Sequence, residues 1–169
     1  MNIKEIKIKN FKSLYDVSFC PGNINVFIGA NGSGKSSVLE AIGVLSAAMT
    51  DRVNNNSLQR KGVRLSTSSL YKSQFRSIER SMPTVDFAMS WKRNKNEYEY
   101  SVHLTTPADD DTWKYHSESV SKNGENVFGR SNRSSVQLNN KVGYYALSEK
   151  LNGEEYTDMG NYISGYGIY

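Results

Sequence analysis

The chain has 169 residues, 37% of them hydrophobic, and a formal net charge of +4. That size and composition suit one globular domain and leave little room for a second. No run of 18 apolar residues occurs, so neither a membrane-spanning helix nor a secretory leader is expected, and a cytoplasmic location is expected; a lone cysteine, Cys20, excludes an internal disulfide and is read as structural.

The charge is unevenly spread. Residues 1–50 carry five Lys/Arg and three Asp/Glu, residues 51–95 ten and three, and residues 96–169 six and eleven. A basic middle is followed by an acidic tail.

Residues 3–9 place Ile6 and Ile8 on one side and lysines on the other, which predicts a half-exposed strand. Asn10-Phe11-Lys12-Ser13-Leu14 is a turn, 16–19 alternate again, and Pro21-Gly22-Asn23 is a second turn. The opening therefore reads as a β-hairpin. Next comes Ile24-Asn25-Val26-Phe27-Ile28, a short β-branched run of the kind found in buried parallel strands.

Gly29-Ala30-Asn31-Gly32-Ser33-Gly34-Lys35-Ser36 then fits the Gly-x-x-x-x-Gly-Lys-Ser phosphate-loop pattern at every fixed position, with Ser37 directly after it. Apolar residues at 38, 42, 45 and 49 predict one face of a helix beginning at Lys35. Strand, loop and helix follow in the order such a cradle needs. The glycines let the backbone curl so that successive N–H groups converge on an anion, and the helix start adds its positive dipole end. Lys35 is positioned to reach β- and γ-phosphates, and the Ser36 hydroxyl to bind the Mg²⁺ that bridges them.

Residues 51–82 are polar, basic and rich in Ser and Asn, and read as turns and loose loop. Lys61, Arg64, Lys72, Arg76 and Arg80 form a candidate surface for a nucleic-acid backbone, although such charge runs also serve as plain solvated faces. From Thr84 the period becomes two. Val85, Phe87, Met89 and Trp91 alternate with polar or small residues, as do Tyr98, Tyr100, Val102 and Leu104, and Asn123-Gly124 predicts a type I′ turn joining 118–122 to 125–128. The aromatic stripe is read as core, His103 and His116 as surface or hairpin residues without a ligand-spaced partner, and Asp109-Asp110-Asp111 as a solvated loop. Residues 142–151 suggest a short helix and 162–169 a strand.

Ile8-Lys9-Asn10-Phe11-Lys12-Ser13 together with Phe27-Ile28-Gly29-Ala30-Asn31-Gly32-Ser33-Gly34-Lys35-Ser36-Ser37-Val38-Leu39-Glu40-Ala41-Ile42 resembles the N-terminus of the RecF, SMC and OLD-type ATPases, over about the first 50 residues. Arg60-Lys61-Gly62-Val63-Arg64 with Leu70-Tyr71-Lys72 resembles a segment of PtuA-like defence ATPases, which work with an HNH nuclease. The resemblance implies an α/β fold: the first lobe of an ABC-type head, a P-loop NTPase with an antiparallel β subdomain, its second lobe absent from this chain. It divides residues 1–50 (hairpin, loop and helix), 51–83 (basic segment), 84–138 (β subdomain) and 139–169 (helix and strand). It further implies ATP and Mg²⁺, with residues 29–37 as the binding loop and Lys12 near the phosphates. Expected partners are a second head, DNA along the basic 52–95 region, and an HNH nuclease.

Hydrolysis also needs an acidic residue at a strand end, and no apolar run ending in Asp-Glu is present; Asp86 sits inside an alternating strand. Ile163-Ser164-Gly165-Tyr166-Gly167 only faintly matches the Leu-Ser-Gly-Gly segment of such heads. No catalytic residue is therefore assigned, and the expected activity is ATP-driven dimerisation that switches DNA or nuclease action. A phosphate-loop kinase and a noncatalytic interaction module remain as rival classes.

Overall fold

Alternating apolar residues give the strands one face for a core, and the computed structural model, which describes residues 2–50, 52–75, 82–107, 110–131 and 140–143, joins them in a single antiparallel sheet. The strands are β1 (Asn2–Phe11), β2 (Leu14–Phe19), β3 (Val85–Arg93), β4 (Asn96–Thr105), β5 (Lys114–Lys122) and β6 (Glu125–Ser131), in the spatial order β2-β1-β3-β4-β5-β6. The expected hairpins are all present. Asn123 and Gly124 have φ of 53° and 83°, the left-handed pair that lets a two-residue turn follow the twist of β5 and β6.

Register stacks the apolar positions in rows across the sheet. Ile8, Phe87 and Val102 face one another, as do Ile6, Met89, Tyr100 and Val120, and all are buried. Ala88, Ser90, Ser101 and Ser119 alternate onto the opposite, half-buried face. His103 lies there too, and contrary to the sequence reading it has an acidic partner: Asp86, directly across from it, at 2.9 Å from Nδ1.

Helix α1 (Lys35–Thr50) covers the apolar face beside β1 and β3. Its buried surface is wider than the stripe at 38, 42, 45 and 49, because Ala41, Val44, Ala47 and Ala48 are enclosed as well. The Tyr115 hydroxyl donates to the Ala48 carbonyl at 2.9 Å and ties β5 to the last turn of that helix.

Two further expectations are corrected. Residues 54–71 are ordered, not loose: α2 (Asn55–Arg60) starts from a capping box in which the Asn54 side chain accepts from Ser57 N–H while the Ser57 hydroxyl accepts from Asn54 N–H, and a 3₁₀ turn occupies Ser68–Tyr71. Leu58 and Val53 are fully buried beneath α1, and Tyr71 meets Trp113 edge-on at 4.8 Å. Residues 24–28 are not a buried parallel strand. No described strand pairs with them, and Ile24, Val26 and Ile28 are 88, 77 and 90% exposed. Their composition suits a covered strand, but no other described backbone lies alongside to complete the ladder. The expected helix at 142–151 and strand at 162–169, like Arg76 and Arg80, fall largely or wholly outside the described residues.

Candidate nucleotide site

The site begins at the Asn10-Phe11-Lys12 turn. Asn10 and Lys12 have φ of 57° and 50°, a region that asparagine tolerates through local hydrogen bonding and lysine occupies only when its surroundings impose it. The surroundings do impose it. The buried Asn10 amide donates to Thr84 O at 2.7 Å and Met82 O at 3.3 Å and accepts from Ser73 N–H at 3.2 Å, so one side chain pins the turn to two other segments. Phe11 is fully buried against Phe87. The Lys12 side chain is thereby driven inward, toward helix α1.

Residues 29–36 turn directly into that helix. Gly32 and Gly34 have φ of 82° and 95°, and a Cβ on Gly34 would come within 3.0 Å of Ser13 Oγ and 3.2 Å of Leu14 Cδ2. A Cβ on Gly29 would come within 2.7 Å of Ser33 Oγ. Ser33 N–H donates to Ala30 O at 3.2 Å, closing the loop, and Val38 N–H donates to Gly34 O at 3.0 Å, opening the helix. The Lys35 ammonium donates to the carbonyls of Gly29 and Ala30, each at 2.7 Å. In this state the lysine bridges the loop from within.

Asn31, Gly32, Gly34, Lys35, Ser36 and Ser37 share one cleft of about 830 Å³ with Lys12 and Ser13. Ser36 is exposed in it, and its hydroxyl suits one position of a hydrated Mg²⁺ held mainly by phosphate oxygens. Ser37 differs: it is buried, and its hydroxyl accepts from Ser13 Oγ at 3.0 Å, which fastens the loop to the β1–β2 turn. Gly29, Ala30 and Ser33 shape the loop through the contacts above. Among the described residues no cluster of three metal-ligating side chains occurs, so any Mg²⁺ here depends on the phosphates it bridges.

Glu40, which sequence reasoning did not single out, connects these parts. It is 2% exposed, one oxygen lies 2.6 Å from Lys12 Nζ, and the other lies 2.6 Å from Arg64 Nε. Burial alone would raise its pKa, but hydrogen bonds from Lys12 and Arg64 more than offset this and hold the carboxyl below its ordinary range. Arg64 is thus engaged with Glu40, and both Arg64 and Lys72 line the cleft, so these two members of the predicted basic surface sit at the candidate nucleotide site.

A glycine loop opens a helix that is laid against an antiparallel sheet and a basic turn, and the class of protein this arrangement points to is an ATPase domain. The chain belongs to the AAA ATPase domain family, which matches residues 1–122. It is similar to the DNA replication and repair protein RecF of Lysinibacillus sphaericus (strain C3-41), with 44% identity over 59 residues, 33% of this chain and 15% of that protein. RecF of Pseudomonas fluorescens (strain Pf0-1) is 43% identical over 53 residues, 31% of this chain and 14% of that protein. These matches therefore span only a small part of each RecF. A solved SMC ATPase, studied for ATP-driven dimerization and DNA-stimulated activation, overlays with a TM-score of 0.49 at 18% identity, covering 76% of this chain and 73% of its own. Among the described residues no helix is long and apolar enough to cross a membrane.

Proposed function

We propose that this chain is the ATP-binding lobe of a head that closes as a dimer and thereby switches DNA- or nuclease-linked work. Residues 29–37 take the triphosphate on converging backbone amides at the start of α1, Ser36 supplies the hydroxyl for Mg²⁺, and Lys35 leaves the carbonyls of Gly29 and Ala30 to meet the β- and γ-phosphates. Lys12, already paired with Glu40 in the same cleft, adds a second cation facing the phosphates. The carrying observation is Lys35 itself: its ammonium spans two loop carbonyls at 2.7 Å, held at the cradle in reach of an incoming anion.

The rest of the head completes the fold in this reading. The exposed run at 24–28 seeks a neighbouring strand, and a parallel partner would cover Ile24, Val26 and Ile28. The strand-end carboxylate that hydrolysis needs would come with it, so this chain alone binds ATP with negligible turnover. The net excess of cations over 52–95 supports a DNA-backbone contact by that region, and the Arg60–Lys72 resemblance supports an HNH nuclease as effector.

Calorimetry of Mg-ATP on the full chain and on Lys35→Ala tests the reading. The variant is expected to fold normally and to bind at least about tenfold more weakly, since a charge-assisted contact to phosphate is lost. Equal affinity in the two proteins would overturn it, leaving the loop as a relic within an interaction module.

A further inference from the structure

The cleft that contains the phosphate loop has another wall of different chemistry. Leu65, Leu70 and Phe75 are 38, 56 and 43% exposed, and all three line it. Large apolar side chains gathered in a cleft and open to water mark a surface that something apolar covers. They are also held firmly. Lys12 N–H donates to Tyr71 O at 3.0 Å and the Ser73 hydroxyl to Leu14 O at 3.0 Å, which clamps the strip after the 3₁₀ turn to the β1–β2 turn. The Phe75 ring meets Tyr15 edge-on at 6.4 Å, and Glu40 fixes the backbone entering Leu65 through Arg64. An apolar wall held by these contacts, adjoining a polar anion cradle in a cleft of about 830 Å³, has the two-part character of a nucleotide site.

Gln74 lines the same cleft. Its amide nitrogen donates to Ser69 O at 2.8 Å. Only the amino end can donate to a carbonyl, so this bond settles which way the amide lies and leaves its carbonyl end as the acceptor. Adenine offers an exocyclic amino donor where guanine offers an oxygen acceptor.

We propose that Leu65, Leu70 and Phe75 form the nucleobase wall of the site and that the Gln74 carbonyl selects adenine over guanine. The proposal rests on residues 29–37 holding the phosphates, and the test separates the two. Affinities of Mg-ATP, Mg-GTP and inorganic tripolyphosphate, which has the anion without the base, are measured on the full chain and on Leu70→Ala, Phe75→Ala, Gln74→Ala and Lys35→Ala. Leu70 and Phe75 are exposed, so their truncation leaves the fold intact, and thermal melting confirms this; Phe75→Leu serves as the milder variant.

The wall variants are expected to weaken ATP about tenfold, because each removes an apolar side chain that would cover the base, and to leave tripolyphosphate unchanged. Gln74→Ala is expected to bring ATP and GTP to equal affinity from a wild-type preference for ATP. Lys35→Ala weakens ATP and tripolyphosphate together. Unchanged ATP affinity in both wall variants, or equal losses of ATP and tripolyphosphate, would overturn the base wall while leaving the phosphate cradle standing. No wild-type preference between ATP and GTP would overturn the role of Gln74. A Lys35→Ala chain that binds both ligands normally would instead sink the cradle itself.

Discussion

Lys12 Nζ lies 2.6 Å from the buried Oε2 of Glu40, 28 positions further along the chain, and the pair joins the β1–β2 turn to the helix that leaves the phosphate loop. The lysine has only 13% of its side chain exposed and sits within 5.6 Å of the Phe11 ring centre and 5.4 Å of that of Tyr71, so the cation is enclosed by aromatic faces as well as by its carboxylate. Such a pair fixes geometry more than it adds stability, because both charges have given up water to form it. Its value here is positional: it keeps a cation at the edge of the candidate phosphate site.

Glu40→Gln keeps the shape and removes the charge. The carboxyl is held below the ordinary glutamate value of about 4.3, so the folded state binds its proton less readily than the unfolded chain does. The resulting stabilisation is complete above that ordinary value and is lost as pH falls through the lower folded one. Denaturant unfolding at pH 7 is expected to show the variant less stable by about 1–3 kcal/mol, and the gap should close in acid below about pH 4. A gap that stays constant down to pH 3 would show that Glu40 contributes shape alone.

The strand pattern was legible because its signals are local. Alternation from Val85 to Leu104 specifies which side chains share a face, and Asn123-Gly124 carries its turn in two residues. Residues 24–28 were misread for the opposite reason: β-branched composition says what a segment seeks, and whether a partner strand lies beside it depends on backbone elsewhere in the fold. Asn54 was read as part of a loop although asparagine is a favoured helix cap, because the run of three asparagines hid it and Ser57 stands where the usual signature has Glu or Gln. Glu40 was invisible for a further reason. A lone carboxylate on a helix reads as solvated, and its two cations come from positions 28 and 24 residues away.

A second titration is expected on the open face of the sheet. Asp86 Oδ1 is buried and gains a donor when His103 Nδ1 carries a proton, while Lys9 lies across from Asp86 on the neighbouring strand. Hydrogen bonding to Asp86 raises the His103 pKa against the opposing effect of burial. That contribution is full below about pH 6.5 and disappears as pH rises through the raised folded value. His103 is 40% exposed, so solvent screening keeps the effect well under 1 kcal/mol. Melting temperatures at pH 5.5 and 8.5 should differ in wild type by a degree or two more than in His103→Gln; an identical pH response in the two proteins would mean that the imidazole stays neutral throughout.

Gly43 offers a case where two effects of opposite sign can be weighed. It sits in the middle of α1, where replacement by alanine ordinarily gains about 0.5–1 kcal/mol through lower unfolded-state entropy and better helix propensity. Here a Cβ would come within 2.8 Å of Val63 Cγ2 and 3.2 Å of the Lys61 carbonyl oxygen. Val63 is 3% exposed and its N–H is bonded to Leu58 O at 2.9 Å, so neither neighbour can retreat cheaply. Overpacking of this kind costs about 1–3 kcal/mol, which exceeds the gain, and Gly43→Ala is expected to lower the melting temperature by a few degrees. The strain would be relieved by moving the 61–63 segment away from α1, and Arg64 and Leu65 would move with it. ATP affinity should therefore fall in step with stability, although position 43 lies two helical turns beyond Lys35 and is outside the cleft lining. A variant that melts higher than wild type and binds ATP equally well would show that the 61–63 segment yields freely and that helix propensity governs this site.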